Sequence, residues 1–212
     1  VTNSKGSATS SSVVVTVTQS TSRNVSGVID SNTTWTKANS PYVVTGNVGI
    51  PEGIRLKIEP GVEVRFEGVY EILVNGSVDA NGTTSEPIVF SSTTLGTSSG
   101  ATMLFFKKAD LSETTLNHVS FLDAQYAIRV GNTATDNNNG NLEGTNLFFN
   151  RAGLFTDGDN SGSKMIIRNS EVNATTVKGN YPLSEVIEIH DSNITNTVLF
   201  SDSYNQGIIL KN

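Results

Sequence analysis

Arg55-Leu56-Lys57-Ile58-Glu59-Pro60-Gly61-Val62-Glu63-Val64-Arg65-Phe66-Glu67-Gly68 is the most ordered stretch of the chain. Leu56 and Ile58 alternate with Arg55 and Lys57, and Val62, Val64 and Phe66 alternate with Glu63, Arg65 and Glu67. Side chains of a strand point to opposite faces in turn, so this reads as two short strands, each with one apolar and one charged face. Pro60-Gly61 supplies the turn between them. Working outward, Tyr42-Val43-Val44-Thr45 and Gly49-Ile50-Pro51-Glu52-Gly53-Ile54 lie upstream, and Ile72-Leu73-Val74 and Ile88-Val89-Phe90 downstream. Asn75-Gly76 and Asn81-Gly82 read as turns between strands. No apolar stripe at helical spacing persists for about a dozen residues anywhere, so the class is all-β.

The same grammar repeats to the end of the chain. Val119-Ser120-Phe121-Leu122-Asp123, Leu147-Phe148-Phe149-Asn150, Ser170-Glu171-Val172-Asn173 and Ser192-Asn193-Ile194-Thr195 each lead into a second apolar pair. Those pairs are Ala127-Ile128, Leu154-Phe155, Thr176-Val177 and Val198-Leu199. Aligned on Asp123, Asn150, Asn173 and Thr195, the spacings are 27, 23 and 22 residues. A period of that size with a polar residue at a fixed phase predicts a solenoid.

Three short strands in a coil of this length is the repeat of a right-handed parallel β-helix. The segment from Thr34-Trp35-Thr36 through Ser40-Pro41-Tyr42-Val43-Val44-Thr45-Gly46 to Glu59-Pro60-Gly61-Val62 resembles the first coils of bacterial surface-protein β-helices of the pectate-lyase-like superfamily. Asn150-Arg151-Ala152-Gly153-Leu154-Phe155 is similar to the degenerate later coils of that superfamily. The resemblance covers residues 28–212 and implies about seven coils, with strands stacked about 4.8 Å apart and a rod near 35 Å long. Residues 1–20, with the turn Asn3-Ser4-Lys5-Gly6 and the β-branched run Ser12-Val13-Val14-Val15-Thr16-Val17-Thr18, resemble the last hairpin of a bacterial immunoglobulin-like domain. The expected organisation is therefore a remnant and linker over 1–27 and a β-helix over 28–212. The start at Val1 and the uncapped Gly207-Ile208-Ile209-Leu210-Lys211-Asn212 lead us to expect a piece of a longer surface protein.

Composition narrows the function. Ser, Thr and Asn make up 73 of 212 residues, and they compete with a helical backbone for hydrogen bonds. Fourteen Lys and Arg against 20 Asp and Glu give a net charge of -6, which lacks the basic footprint of a nucleic-acid binder. No apolar run approaches the roughly 18 to 20 residues of a membrane helix. Zero cysteines exclude disulfides, thiolate zinc sites and cysteine nucleophiles. Low Lys and Arg with abundant Ser, Thr and Asn suits an extracellular or cell-surface location.

Chemistry is sparse. Enzymes of the superfamily use clustered aspartates with calcium and a basic residue, or aspartates beside His and Arg/Lys motifs, and neither signature is present. No catalytic residue is assigned. His118 and His190 lie about three coils apart, roughly 14 Å, too far to act together. Arg65 between Glu63 and Glu67 reads as an outward charge ladder. Asp157-Gly158-Asp159-Asn160-Ser161-Gly162 opens like an oxygen-ligand calcium loop, with Asp157, Asp159 and Ser161 at alternate positions. Arg168 stands where the closing bidentate Glu belongs, and Asp-Gly is also a plain turn pair, so calcium is the sole cofactor in view and is not required. Trp35, Tyr181 and Tyr204 are the candidate sugar platforms, although Trp35 also suits a packed cap.

These observations predict a non-catalytic module acting in adhesion or binding on a rigid rod. Its expected partners are a polysaccharide or another surface protein. A carbohydrate-binding or polysaccharide-processing module is one alternative. The other is a self-assembling fibre subunit that associates through Ser12–Thr18 or the C-terminal coil.

Overall fold

The computed structural model describes residues 2–3, 6–7, 22–92, 102–105, 109–130, 141–157, 164–174, 176–180, 186–201 and 208–211. It is a parallel β-solenoid, almost without helix: among the described residues only Lys37–Asn39 form a helical turn, of the 3-10 type. Every rung of the solenoid passes through three columns, and each column is eight strands deep. Six rungs thus have a neighbour on both sides. At about 4.8 Å a step, the first and last rungs lie about 34 Å apart.

The third column holds the residues that matter below. Its rungs one to eight are Thr33–Trp35, Arg55–Ile58, Ser77–Asn81, Thr115–Asn117, Asn141–Thr145, Lys164–Arg168, Val186–His190 and Ile208–Lys211. All pair in parallel with their neighbours. The long strands Tyr42–Ile50, Val119–Val130 and Phe148–Asp157 each run through both of the other columns.

The alternation read from Arg55 to Gly68 holds residue by residue. Leu56, Ile58, Val62, Val64 and Phe66 are buried, whereas Lys57, Arg65 and Glu67 are exposed. Arg65 Nε donates to Glu63 Oε1 at 2.7 Å, so the outward charges pair along their own strand. Stacking equivalent rungs stacks equivalent side chains. Phe90, Phe121 and Phe149 form a column of rings with centroids 5.4 and 5.2 Å apart, a favourable offset range for aromatic pairs.

The turn leaving the third column has one conformation in four successive rungs. His118, Asn146, Asn169 and Asp191 all have φ between 45° and 53°. Each donates its N–H to the carbonyl of the residue that ends the next rung: Thr145, Arg168, His190 and Lys211. Asn and Asp tolerate that left-handed region best among non-glycine residues, and three of these four turns carry one, at a different phase from the Asn150 and Asn173 of the sequence repeat. At the equivalent place in the third rung Gly82 is outside the left-handed region, and there a Cβ would sit 2.5 Å from the carbonyl oxygen of His118.

Two boundaries differ from expectation. Asn150 stacks on Asn173, but Leu122, not Asp123, stacks on Asn150. Asp123 is one place further on, level with Arg151, to which it is ion-paired at 2.5 Å. Phe121 and Phe149 fix that register by stacking. Solenoid pairing also starts at Arg23, because Arg23–Val28 pairs in parallel with Tyr42–Ile50, ahead of the expected start at 28. Further upstream, Thr2–Asn3 and Gly6–Ser7 make a short antiparallel pair. The run Ser12–Thr18 lies outside the described residues.

Candidate functional site

The outward face of the third column carries two groups of charge. In rungs two to five the corner where the chain enters this column forms a groove of about 950 Å³ around Arg55. Arg55 Nη2 donates to Asp79 Oδ2 at 3.0 Å and Nη1 to Glu113 Oε2 at 3.4 Å, while its backbone N–H donates to Asn32 Oδ1 at 2.9 Å. Glu52, Asp110 and Glu143 also line the groove. Gly76 makes its floor. A Cβ there would meet the carbonyl oxygens of Ile54 and Pro51 at 2.0 and 2.4 Å, so the close approach of two turns admits only glycine.

The wall at 110–114 is held by its own hydrogen bonds. Asp110 Oδ1 accepts from Ser112 Oγ at 2.6 Å and from the N–H groups of Ser112 and Glu113 at 3.1 Å. The Ser112 hydroxyl and the Glu113 N–H together hold the Asp110 carboxyl below the ordinary carboxylate range. Thr114 Oγ1 donates to the Asp110 carbonyl and accepts from Val78 N–H, which ties the wall to the third rung.

Rungs six to eight carry the opposite sign. Glu188 is 7% exposed, and its Oε1 accepts from Lys164 Nζ at 2.9 Å. Its Oε2 accepts from Lys211 Nζ at 3.1 Å and faces His190 Nε2 at 2.9 Å. Lys164 first, then His190 and Lys211, lower the Glu188 carboxyl to about 2. The other ring nitrogen of His190, Nδ1, lies 3.1 Å from Arg168 Nη1. Arginine can only donate, so in this contact Nδ1 is the acceptor and Nε2 is left to face Glu188. Arg168, His190 and Lys211 stack in register along the edge where the chain leaves the column.

The sequence candidates fall elsewhere. Trp35 is 3% exposed and stacks on Tyr42 at 4.8 Å, with the Tyr42 hydroxyl accepting from Thr36 N–H at 2.8 Å. It packs the start of the core and presents no ring to a sugar. Tyr181, Tyr204, Asp159 and Ser161 lie outside the described residues. Asp157 ends the strand Phe148–Asp157, level with Asn180 of the next rung. Among the described residues no group of three or more His, Asp or Glu side chains is placed to hold a metal ion, and no helix is long and apolar enough to cross a membrane.

Sequence reasoning missed both charge groups. Their signal was present as opposite charges one coil apart, Arg55 to Asp79, Lys164 to Glu188 and Glu188 to Lys211, at separations of 24, 24 and 23 residues. No protein-family model matches this chain, and no curated protein or solved structure matches it either.

Proposed function

We propose that this chain is a non-catalytic interaction module of a secreted or surface-anchored bacterial protein, a stiff rod that adheres or binds through one charged face. The observation that carries this reading is the outer face of the third column, where a carboxylate-lined groove and a cationic ridge sit on one rigid ladder. Among the described residues the carboxyls with perturbed acidity, Asp110 and Glu188, are held as anions. A general acid for glycoside cleavage needs the opposite, a carboxyl kept protonated near neutral pH. A solenoid suits display, because loops between columns vary without disturbing the stacked core. The three-column ladder supports kinship with the pectate-lyase-like β-helices of bacterial surface proteins. The pair Thr2–Asn3 and Gly6–Ser7 supports an immunoglobulin-like remnant ahead of it.

A glycan ligand is the second reading, favoured by the size of the groove and by its Asn32, Ser77 and Thr114 hydrogen-bonding groups beside Arg55. Native electrophoresis through gels containing embedded polysaccharides, with and without calcium, separates the two. Retardation in one gel that is lost in Arg55→Ala establishes a glycan ligand. Unchanged migration in every gel leaves a protein partner.

A further inference from the structure

Three fixed cations share one carboxylate in rungs six to eight. Lys164 reaches Glu188 at 2.9 Å from the rung before it, and Lys211 at 3.1 Å from the rung after. Arg168 has no carboxylate partner among the described residues, whereas Arg55, Arg65 and Arg151 each face an Asp or Glu. The one bond its guanidinium makes there is from Nη1 to His190 Nδ1, and Glu188 holds that imidazole from its other side at 2.9 Å. A guanidinium carries five N–H donors in a flat fork that matches the two oxygens of a carboxylate. Arg168 is therefore positioned in advance, with most of its donors left for an acceptor from outside.

The positive field is small in extent. Lys164 and Arg168 stand four residues apart on one strand, about 13 Å, and Arg168 and Lys211 two rungs apart, about 10 Å. Glu188, and Asp191 in the turn beyond, leave the three cations one positive charge in excess. Over rungs two to five the same face carries Asp79, Asp110, Glu113 and Glu143. A long polyanion laid along the axis, or a planar anionic membrane, would cover those carboxylates as well and be repelled. Carboxylates two to four residues apart on an extended peptide lie about 7 to 13 Å from one another, which spans the patch and goes no further. We propose that this patch docks a short acidic peptide segment of a partner protein, one carboxylate seated on the Arg168 fork and a second on Lys211 or Lys164. This rests on the reading of the third-column face as an interaction surface and names the chemistry of its partner. With so few exposed charges engaged, the docking is weak and sensitive to salt.

Amide NMR titration of the full chain with an end-blocked glutamate hexapeptide tests this, in about 0.01 M and about 1 M salt, where the Debye length falls from about 30 to 3 Å. The expected result is saturable shifts in Lys164–Arg168 and Val186–His190 in low salt, lost in high salt. Arg168→Gln should weaken binding about tenfold or more while the rest of its spectrum stays that of the wild type, which excludes misfolding as the cause. Equal affinity in Arg168→Gln and wild type overturns the proposal, and so does a wild type that shows no shift in low salt. Shifts at the ridge with polygalacturonate and none with the hexapeptide also overturn it, because the ligand is then a glycan. A lysine hexapeptide separates that failure from failure of the underlying reading. Shifts it causes at residues 110–114, lost in Glu113→Lys with Glu143→Lys, leave the charged-face reading standing, and their absence removes that reading too.

Discussion

Glu188→Gln isolates the contribution of one carboxylate to rungs six to eight. The side chain is 7% exposed and accepts from three donors, and its acidity is lowered from 4.5 to about 2. At about 1.4 kcal/mol per unit, that shift corresponds to about 3 kcal/mol of stabilisation. The folded value lies below the unfolded one, so this contribution is complete above pH 4.5 and is lost as pH falls towards 2. Glutamine keeps the shape but removes the charge, leaving Lys164 and Lys211 around a neutral amide. A solenoid rung contacts only its neighbours, so amide exchange in Val186–His190 reports the effect locally. The opening free energy should be about 2–3 kcal/mol lower in the variant at pH 7, and the two proteins should converge near pH 2. Lys164→Met removes the largest single contribution and should move the acid transition of the wild-type rung upward. A gap at pH 7 below about 0.5 kcal/mol, or one that persists unchanged at low pH, would refute the account of Glu188 as a buried, cation-held anion.

Phe121→Ala removes the middle ring of the Phe90–Phe121–Phe149 stack and should cost about 3–5 kcal/mol in urea unfolding, more than Phe90→Ala at the end of that stack. Asn169→Gly should be near neutral, whereas Asn169→Ala should cost about 1 kcal/mol, because φ there is 48° and alanine resists it; equal costs would remove the left-handed conformation as the reason for Asn at this turn. The single tryptophan, Trp35, should fluoresce with a blue-shifted maximum and resist acrylamide quenching, since it is 3% exposed. Saccharide addition should leave that emission unchanged, and a shift on binding would place a ligand at the start of the core.

The period and the alternation were legible because they are local. Leu56, Ile58, Val62, Val64 and Phe66 announce their face in a window of a dozen residues, and the structure buries each of them. Register between coils is not local. Asp123 looks like the counterpart of Asn150 until the stacking of Phe121 on Phe149 moves it one place, and a slip of one residue exchanges faces. Met165-Ile166-Ile167 hides its alternation altogether, because Ile166 points outward with its neighbours Lys164 and Arg168 yet is only 6% exposed. Trp35 was ambiguous for a physical reason: an aromatic between threonines serves equally as a platform or a plug. Its partner Tyr42, which decides the matter, belongs to a different column.

A parallel ladder also explains why the charged face is arranged as it is. Each outward position repeats about every 4.8 Å along the axis, so a charge kept in one row would face its like on both sides. Lys57 over Asp79 alternates sign within one row, and Arg55 with Asp79, and Glu188 with Lys164 and Lys211, pair diagonally between neighbouring rows of successive rungs. Alternation cannot run to zero at both ends, because the groove has more carboxylates than Arg55 and Lys57 can neutralise and the ridge more cations than Glu188. The unneutralised remainder is of opposite sign in the two halves of one stiff surface, and the reach of its field is set by the salt around it.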